Sequence, residues 1–164
     1  MLKEIDIEKI NTNPFELIGK EWMLIAAGNQ SKHNMMTASW GTLGVLWNKN
    51  IATVFIRPSR YTLGFVENND YFSLNFPIDR KVHSICGNKS GREIDKTKAC
   101  NLTPVFSDNT VYFQESRLVI ICKKIYFSTL DNSNFLNPDI EKNYPKKDYH
   151  KIFIGEIIKA YKNK

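Results

Sequence analysis

The sequence has few of the features that usually announce a chemistry. Its three cysteines, Cys86, Cys100 and Cys122, are odd in number, far apart and form no Cys-x-x-Cys. A disulfide framework or a zinc site of paired cysteines is not expected, and a reducing compartment is. Eight Gly and six Pro are too few for a collagen-like or low-complexity chain. No Gly-x-Gly-x-x-Gly, P-loop, His-Glu-x-x-His or Gly-x-Ser-x-Gly occurs. The histidines, His33, His83 and His150, are scattered and give no metal-ligand spacing. Apolar runs such as Leu118 to Cys122 are far short of the about 20 residues a membrane helix needs. The first residues, MLKEIDIEKI, are charged and lack the apolar segment of a signal peptide. The expectation is a soluble, cytoplasmic protein with no membrane partner.

What the chain does have is aromatic mass: ten Phe, seven Tyr and three Trp, 12% of 164 residues. Such side chains bury large areas, so a sizeable core follows and disorder does not. The length and the absence of a linker or repeat fit a single domain over residues 1–164. Net charge is +6, and residues 141–164 carry a surplus of four, with seven Lys against Glu141, Asp148 and Glu156. A basic tail can steer an anionic ligand; it also reads as an edge strand whose lysines discourage aggregation.

The dominant pattern is strand-like. Trp22 to Gly28 is apolar and closes on Asn29-Gln30-Ser31. Asn34 to Trp47 reads as one long strand interrupted by Gly41 and Gly44, with a hairpin turn at Asn48-Lys49-Asn50. Ile51 to Arg57 alternates, Val111 to Phe127 is strand-rich, and His150 to Tyr161 is another strand. Short helices are expected after the Asn13-Pro14 cap, from Thr62 to about Asn68 with the Thr62 hydroxyl as cap, from Asp79 to Gly87, and from Gly91 to Ala99. Asp131 to Tyr149 reads as a polar surface loop with a helical turn. Consecutive strands with helices in their loops predict a mainly β barrel with a few peripheral helices.

Two segments can carry chemistry. Asn34-Met35-Met36-Thr37-Ala38-Ser39-Trp40-Gly41 sets short polar groups and backbone N–H groups beside a flat apolar surface, which suits a planar heteroaromatic ligand. It equally fits an amphipathic strand with Thr and Ser facing water. Phe55-Ile56-Arg57-Pro58-Ser59-Arg60-Tyr61-Thr62 ends a strand in two guanidinium forks and hydroxyls at a helix start, a phosphate-binding combination. Its arginines can instead pair with acids such as Glu67 or Asp70. Cys86-Gly87-Asn88-Lys89-Ser90-Gly91-Arg92 with Asp95-Lys96 forms a polar loop of the kind that covers sites.

Taken in order, these segments resemble the flavin reductase-like family of FMN-binding split barrels, near its flavoredoxin branch. The resemblance continues through Asn68-Asn69-Asp70-Tyr71-Phe72 and ends at His150-Lys151-Ile152-Phe153-Ile154-Gly155-Glu156-Ile157, covering nearly the whole chain. It implies a six-stranded Greek-key split barrel, a homodimer, and FMN held non-covalently near the dimer interface. By the same resemblance, Asn34, Met36, Thr37, Ala38, Ser39 and Trp40 lie along the flavin. Arg57, Ser59, Arg60, Tyr61 and Thr62 form the phosphate turn. Ser90, Gly91 and Lys96 reach the flavin region, and His150 lies near it. The chain then needs no nucleophile or general base, because hydride transfer belongs to the FMN.

The implied activity is reduction of free flavin or another acceptor by NAD(P)H through bound FMN. The alternative is a flavoredoxin-like carrier that exchanges electrons with a redox protein, without nicotinamide chemistry. A third reading, a basic barrel binding single-stranded nucleic acid, is disfavoured by the spread of the lysines.

Overall fold

The apolar run Met23–Gly28 is buried along its whole length because both of its faces are covered. Met23, Ile25 and Ala27 point into the main core with Leu74, Ile120 and Phe153, while Leu24 and Ala26 point into a second core with Met35, Val82 and Phe113. The run Leu118–Cys122 divides in the same way: Leu118, Ile120 and Cys122 enter the main core, and Val119 and Ile121 pack with Tyr112. A strand covered on two sides reads as continuously apolar rather than alternating.

The computed structural model describes residues 1–163. In chain order the strands are β1 (Leu2–Ile5), β2 (Met23–Gly28), β3 (His33–Ala38), β4 (Gly41–Leu46), β5 (Lys49–Ile56), β6 (Tyr71–Pro77), β7 (Pro104–Ser107), β8 (Thr110–Phe113), β9 (Ser116–Thr129) and β10 (Lys151–Asn163). The helices are α1 (Pro14–Gly19), α2 (Thr62–Glu67), α3 (Val82–Asn88) and α4 (Lys96–Ala99). Eight strands form one antiparallel sheet in the order β3-β2-β6-β9-β10-β5-β4, with β1 paired to the far end of β10. β7 and β8 make a separate hairpin. The protein is therefore mainly β with peripheral helices, and its sheet carries eight strands where the resemblance implied six.

The two end strands, β3 and β4, are consecutive in the chain and joined through Ser39–Trp40. The sheet thus curls until its ends meet at that connection, and the barrel is split there. This breaks the expected single strand Asn34–Trp47 in two. At the break, a Cβ on Gly41 would lie 2.9 Å from the Thr53 carbonyl oxygen, so β4 begins where only glycine lets the chains approach. Deeper in the sheet, a Cβ on Gly155 would lie 2.6 Å from Cys122 Cβ and 2.8 Å from the Phe72 ring, beside a bulge in the β9–β10 pairing.

Several local expectations are corrected. The β4–β5 turn is Trp47–Asn48, both at positive φ (52° and 57°), one residue ahead of the Asn48-Lys49-Asn50 reading. The stretch from Gly91 is helical only from Lys96, because Asp95 caps α4 by accepting from Lys98 N. Thr62 does not cap α2 with its side chain. The stretch Val111–Phe127 is two strands, β8 and β9. The lysine-rich C-terminal strand is not an edge: β10 pairs with β9 on one side and with β5 and β1 on the other. Lys151 and Lys159 pair with Glu67 and Asp108. The 131–149 loop contains two short helical turns where one was expected. Among the described residues no helix is long and apolar enough to cross a membrane.

Candidate functional site

The split in the barrel leaves β3 with one unpaired edge, so its alternate backbone N–H groups point away from β2. Across that edge lie the end of β5, the C-terminus of α3 and the start of β10. Together they line a cavity of about 260 Å³ whose walls include Met36, Thr37, Ala38, Ser39, Trp40, Arg57, Arg60 and His150. Phe55 and Gly87 complete it. A second, smaller cavity of about 110 Å³ adjoins it, sharing Met36, Arg60 and Gly87. The smaller one is lined by Asn34, Ser59, Tyr61, Thr62, Ser90, Gly91 and Lys96. Each residue that the resemblance assigns to the flavin or its phosphate therefore lines one of two joined cavities, although the chain distance between them reaches from Asn34 to His150.

Lys96 is the most constrained of these groups. It is 4% exposed, and its ammonium donates to the backbone carbonyls of Met35 (2.9 Å) and Cys86 (3.0 Å). That leaves a third N–H for the smaller cavity. Burial pulls its pKa below the ordinary lysine value. Arg60 reaches the end of α3, donating to the Gly87 carbonyl at 3.0 Å and the Cys86 carbonyl at 3.4 Å. Its cationic head thereby sits on orphan carbonyls at a helix C-terminus. Asn34, buried, donates from Nδ2 to the Thr62 hydroxyl at 2.8 Å, which fixes β3 against α2. Gly91 is needed because a Cβ there would lie 2.1 Å from Asn34 Oδ1. Hydroxyls of Ser59, Thr62 and Ser90 beside two cations make the smaller cavity a receptor for an oxygen-rich anion.

The larger cavity is bounded by rings. Trp40 and His150 lie with centroids 5.1 Å apart, and Phe55 meets His150 edge-on at 6.5 Å. His150 Nδ1 is 2.8 Å from the Tyr144 hydroxyl. Burial, reinforced by the Arg57 charge, lowers the His150 pKa from 6.5 to about 4, so the imidazole is neutral at pH 7. Behind Thr37 lies His83, also buried. The Thr37 hydroxyl donates to the His83 carbonyl and lies 3.2 Å from Nδ1, which makes Nδ1 the protonated nitrogen. His83 Nε2 has no partner, and burial lowers this pKa from 6.5 to about 4 as well.

Arg57 departs from the expectation of a free phosphate ligand. Its guanidinium donates to Asp148 (2.9 Å) and to the Asn143 carbonyl (2.7 Å), and stacks 4.9 Å from the Tyr144 ring centroid. The acid it meets is on the 131–149 loop, not Glu67 or Asp70. Arg57 thus fastens that loop over the cavity wall. The sequence reading missed Tyr144 and Asp148, since the loop looked uniformly polar. A tyrosine 4% exposed inside such a loop is the trace it left. Beyond Trp40 and His150 a more apolar cavity of about 440 Å³ opens, lined by Phe15, Ile18, Leu130 and Tyr144 among others. Among the described residues no group of three or more His, Cys, Asp or Glu is placed to hold a metal ion.

No curated protein matches the chain. Among solved structures, the FMN-binding domain of a flavin reductase-like enzyme from Shewanella baltica OS155 superposes with a TM-score of 0.70, over 99% of this chain and 77% of that one at 18% identity. The flavoredoxin of Methanosarcina acetivorans gives 0.68 over 99% and 76%, at 25% identity. The NADH:FAD oxidoreductase of Streptomyces globisporus C-1027 gives 0.66 over 87% and 75%, at 13% identity. These likenesses agree with the split-barrel fold. The family model described as the flavin reductase like domain matches residues 16–164, and the chain belongs to that family.

Proposed function

We propose that the joined cavities hold FMN non-covalently and that the chain is an oxidoreductase, passing electrons from NAD(P)H through the flavin to free flavin or another acceptor. The observation that carries this reading is the pairing of the two cavities. One is flat-walled, with an exposed strand edge. The other is small, cationic and rich in hydroxyls, and Arg60 lies on both. A ring system bearing a phosphate tail matches that division. FMN-binding and flavin-reducing proteins among the structural neighbours support the same choice.

Bound FMN supplies two-electron transfer at its ring. The protein's part is placement. Those backbone N–H groups between Thr37 and Ser39 that point away from β2 would donate to the polar edge of the ring. Trp40 and neutral His150 bound its plane and keep water from one side. Lys96 sets a positive charge between ring and tail, where negative charge is favoured. Arg60, with the hydroxyls of Ser59, Thr62 and Ser90, holds the phosphate, while Tyr61 and Gly91 shape its walls. Asn34 and Met36 back the strand. Arg57 acts one step away, by holding the loop that carries Tyr144 against His150.

The reading is tested by anaerobic addition of NADH or NADPH to the FMN-loaded chain. Rapid bleaching of the flavin is expected. The likeness to flavoredoxin at 25% identity favours a second reading, an electron carrier that a ferredoxin-type donor reduces and NAD(P)H does not. Bleaching by the protein donor alone selects it. Arg60→Ala is expected to weaken FMN roughly tenfold to a hundredfold while leaving riboflavin nearly unchanged, since only FMN has the phosphate. Equal weakening of both would remove Arg60 from the phosphate. The proposal includes a cytoplasmic homodimer, in which a second copy covers the exposed Phe15 and Trp40 at the split; light scattering tests it.

A further inference from the structure

Beside the two cavities, and meeting them at Arg60, cations converge on one groove without acid partners. Lys32 ends the β2–β3 turn, Arg60 follows the Pro58-Ser59 turn, and Arg92 lies in the loop before α4. With Tyr61 and Phe65 they line a groove of about 690 Å³. Lys32 Nζ lies 5.9 Å from the Tyr61 ring centroid and 6.0 Å from that of Phe65, and Arg92 Cζ lies 4.6 Å from the Tyr61 centroid. Tyr61 and Phe65 meet edge to face at 5.2 Å. The one carboxylate on the groove, Glu67, is held by Lys151. The adjoining groove, which Lys32 and Arg92 also line, holds Glu93 and Asp95; Asp95 caps α4 and faces Lys98, and Glu93 forms no ion pair among the described residues. Among the described residues, Lys32, Arg60 and Arg92 form no ion pair.

Like charges gathered on aromatic faces repel one another, and an anion relieves that repulsion. We propose that this groove binds the phosphate groups of a nicotinamide dinucleotide, which rests on the reading of the chain as an NAD(P)H-dependent flavoprotein. Two observations select a dinucleotide over the flavin's own phosphate. The smaller cavity already provides Arg60, Lys96 and three hydroxyls for one phosphate, and neither Lys32 nor Arg92 lines it. The groove is also several times larger and continues into both cavities at Arg60. Phosphates seated here leave the remainder of the ligand running toward the ring cavity. An ammonium and a forked guanidinium together suit a pyrophosphate.

The test uses ADP as the probe, titrated calorimetrically into the FMN-loaded chain and into the double variant K32Q/R92Q. Wild type is expected to bind ADP, more weakly as salt rises. The double variant is expected to bind it roughly tenfold or more weakly, retain FMN as wild type does, and show a raised KM for NAD(P)H at unchanged kcat. Absence of ADP binding to wild type, or equal binding to both proteins, overturns the proposal. Loss of FMN from the double variant overturns it too, since these cations would then serve the flavin. If wild type itself retains no FMN, the flavin reading fails, and ADP titration of the flavin-free chain still decides the groove.

Discussion

His83 and His150 are buried, neutral and placed on either side of the Thr37–Trp40 segment. In the unfolded chain each imidazole takes up a proton near 6.5, and in the fold only near 4. Between those values the unfolded state binds more protons, so stability rises with pH and is lost on acidification through that window. The melting temperature is expected to fall as pH drops from about 6.5 toward 4, and His83→Gln to flatten part of that slope. A slope identical in the variant would remove His83 from the account. Asn34 offers a second test. Thr62→Val leaves its buried amide without an acceptor, a cost of about 1–3 kcal/mol, seen as a lower urea midpoint at unchanged m. These roles were only partly legible in the sequence. Thr62 lines the smaller cavity, but its hydroxyl serves a strand 28 residues away rather than its own helix. Lys96 and His150 entered through family likeness, because nothing local marks a lysine that spans two backbone carbonyls. Arg57 and Asp148 are 91 residues apart, and a pair so separated leaves no periodic trace.

At the scale of the elements, strands were legible wherever burial imposed a pattern. β2, β5 and β10 fall close to where apolar content predicts them. The misplacements arise where backbone geometry, not composition, decides. The Trp47–Asn48 turn puts a tryptophan in a left-handed conformation that its side chain does not favour, while Asn-Lys-Asn beside it has better turn chemistry. Asn48→Gly should therefore stabilise the β4–β5 hairpin by about 0.5–1 kcal/mol, read as a raised melting temperature. Gly155 makes the opposite case. Gly155→Ala forces a methyl group against Cys122 and Phe72 at the centre of the sheet, and should cost about 1–3 kcal/mol. A neutral result would mean that β10 can slide at its bulge. Gly91→Ala belongs with the site. Its Cβ would displace Asn34 and its bond to Thr62, so FMN affinity and melting temperature should both fall.

For the whole molecule, the site is a consequence of how the sheet closes. β3 and β4 occupy its two ends and are joined by Ser39–Trp40, so the free edge, the flat wall and the helix-borne cations meet at one seam. No single motif in the sequence announces that meeting; the order of several weak ones does. The placement of FMN across the two cavities is the central claim. Its most direct test is to mix the purified chain with excess FMN, and in parallel with riboflavin, then desalt and record the visible spectrum. The account predicts equimolar flavin retained from FMN and little from riboflavin. A colourless chain after both, with no NAD(P)H-driven flavin turnover, would contradict it.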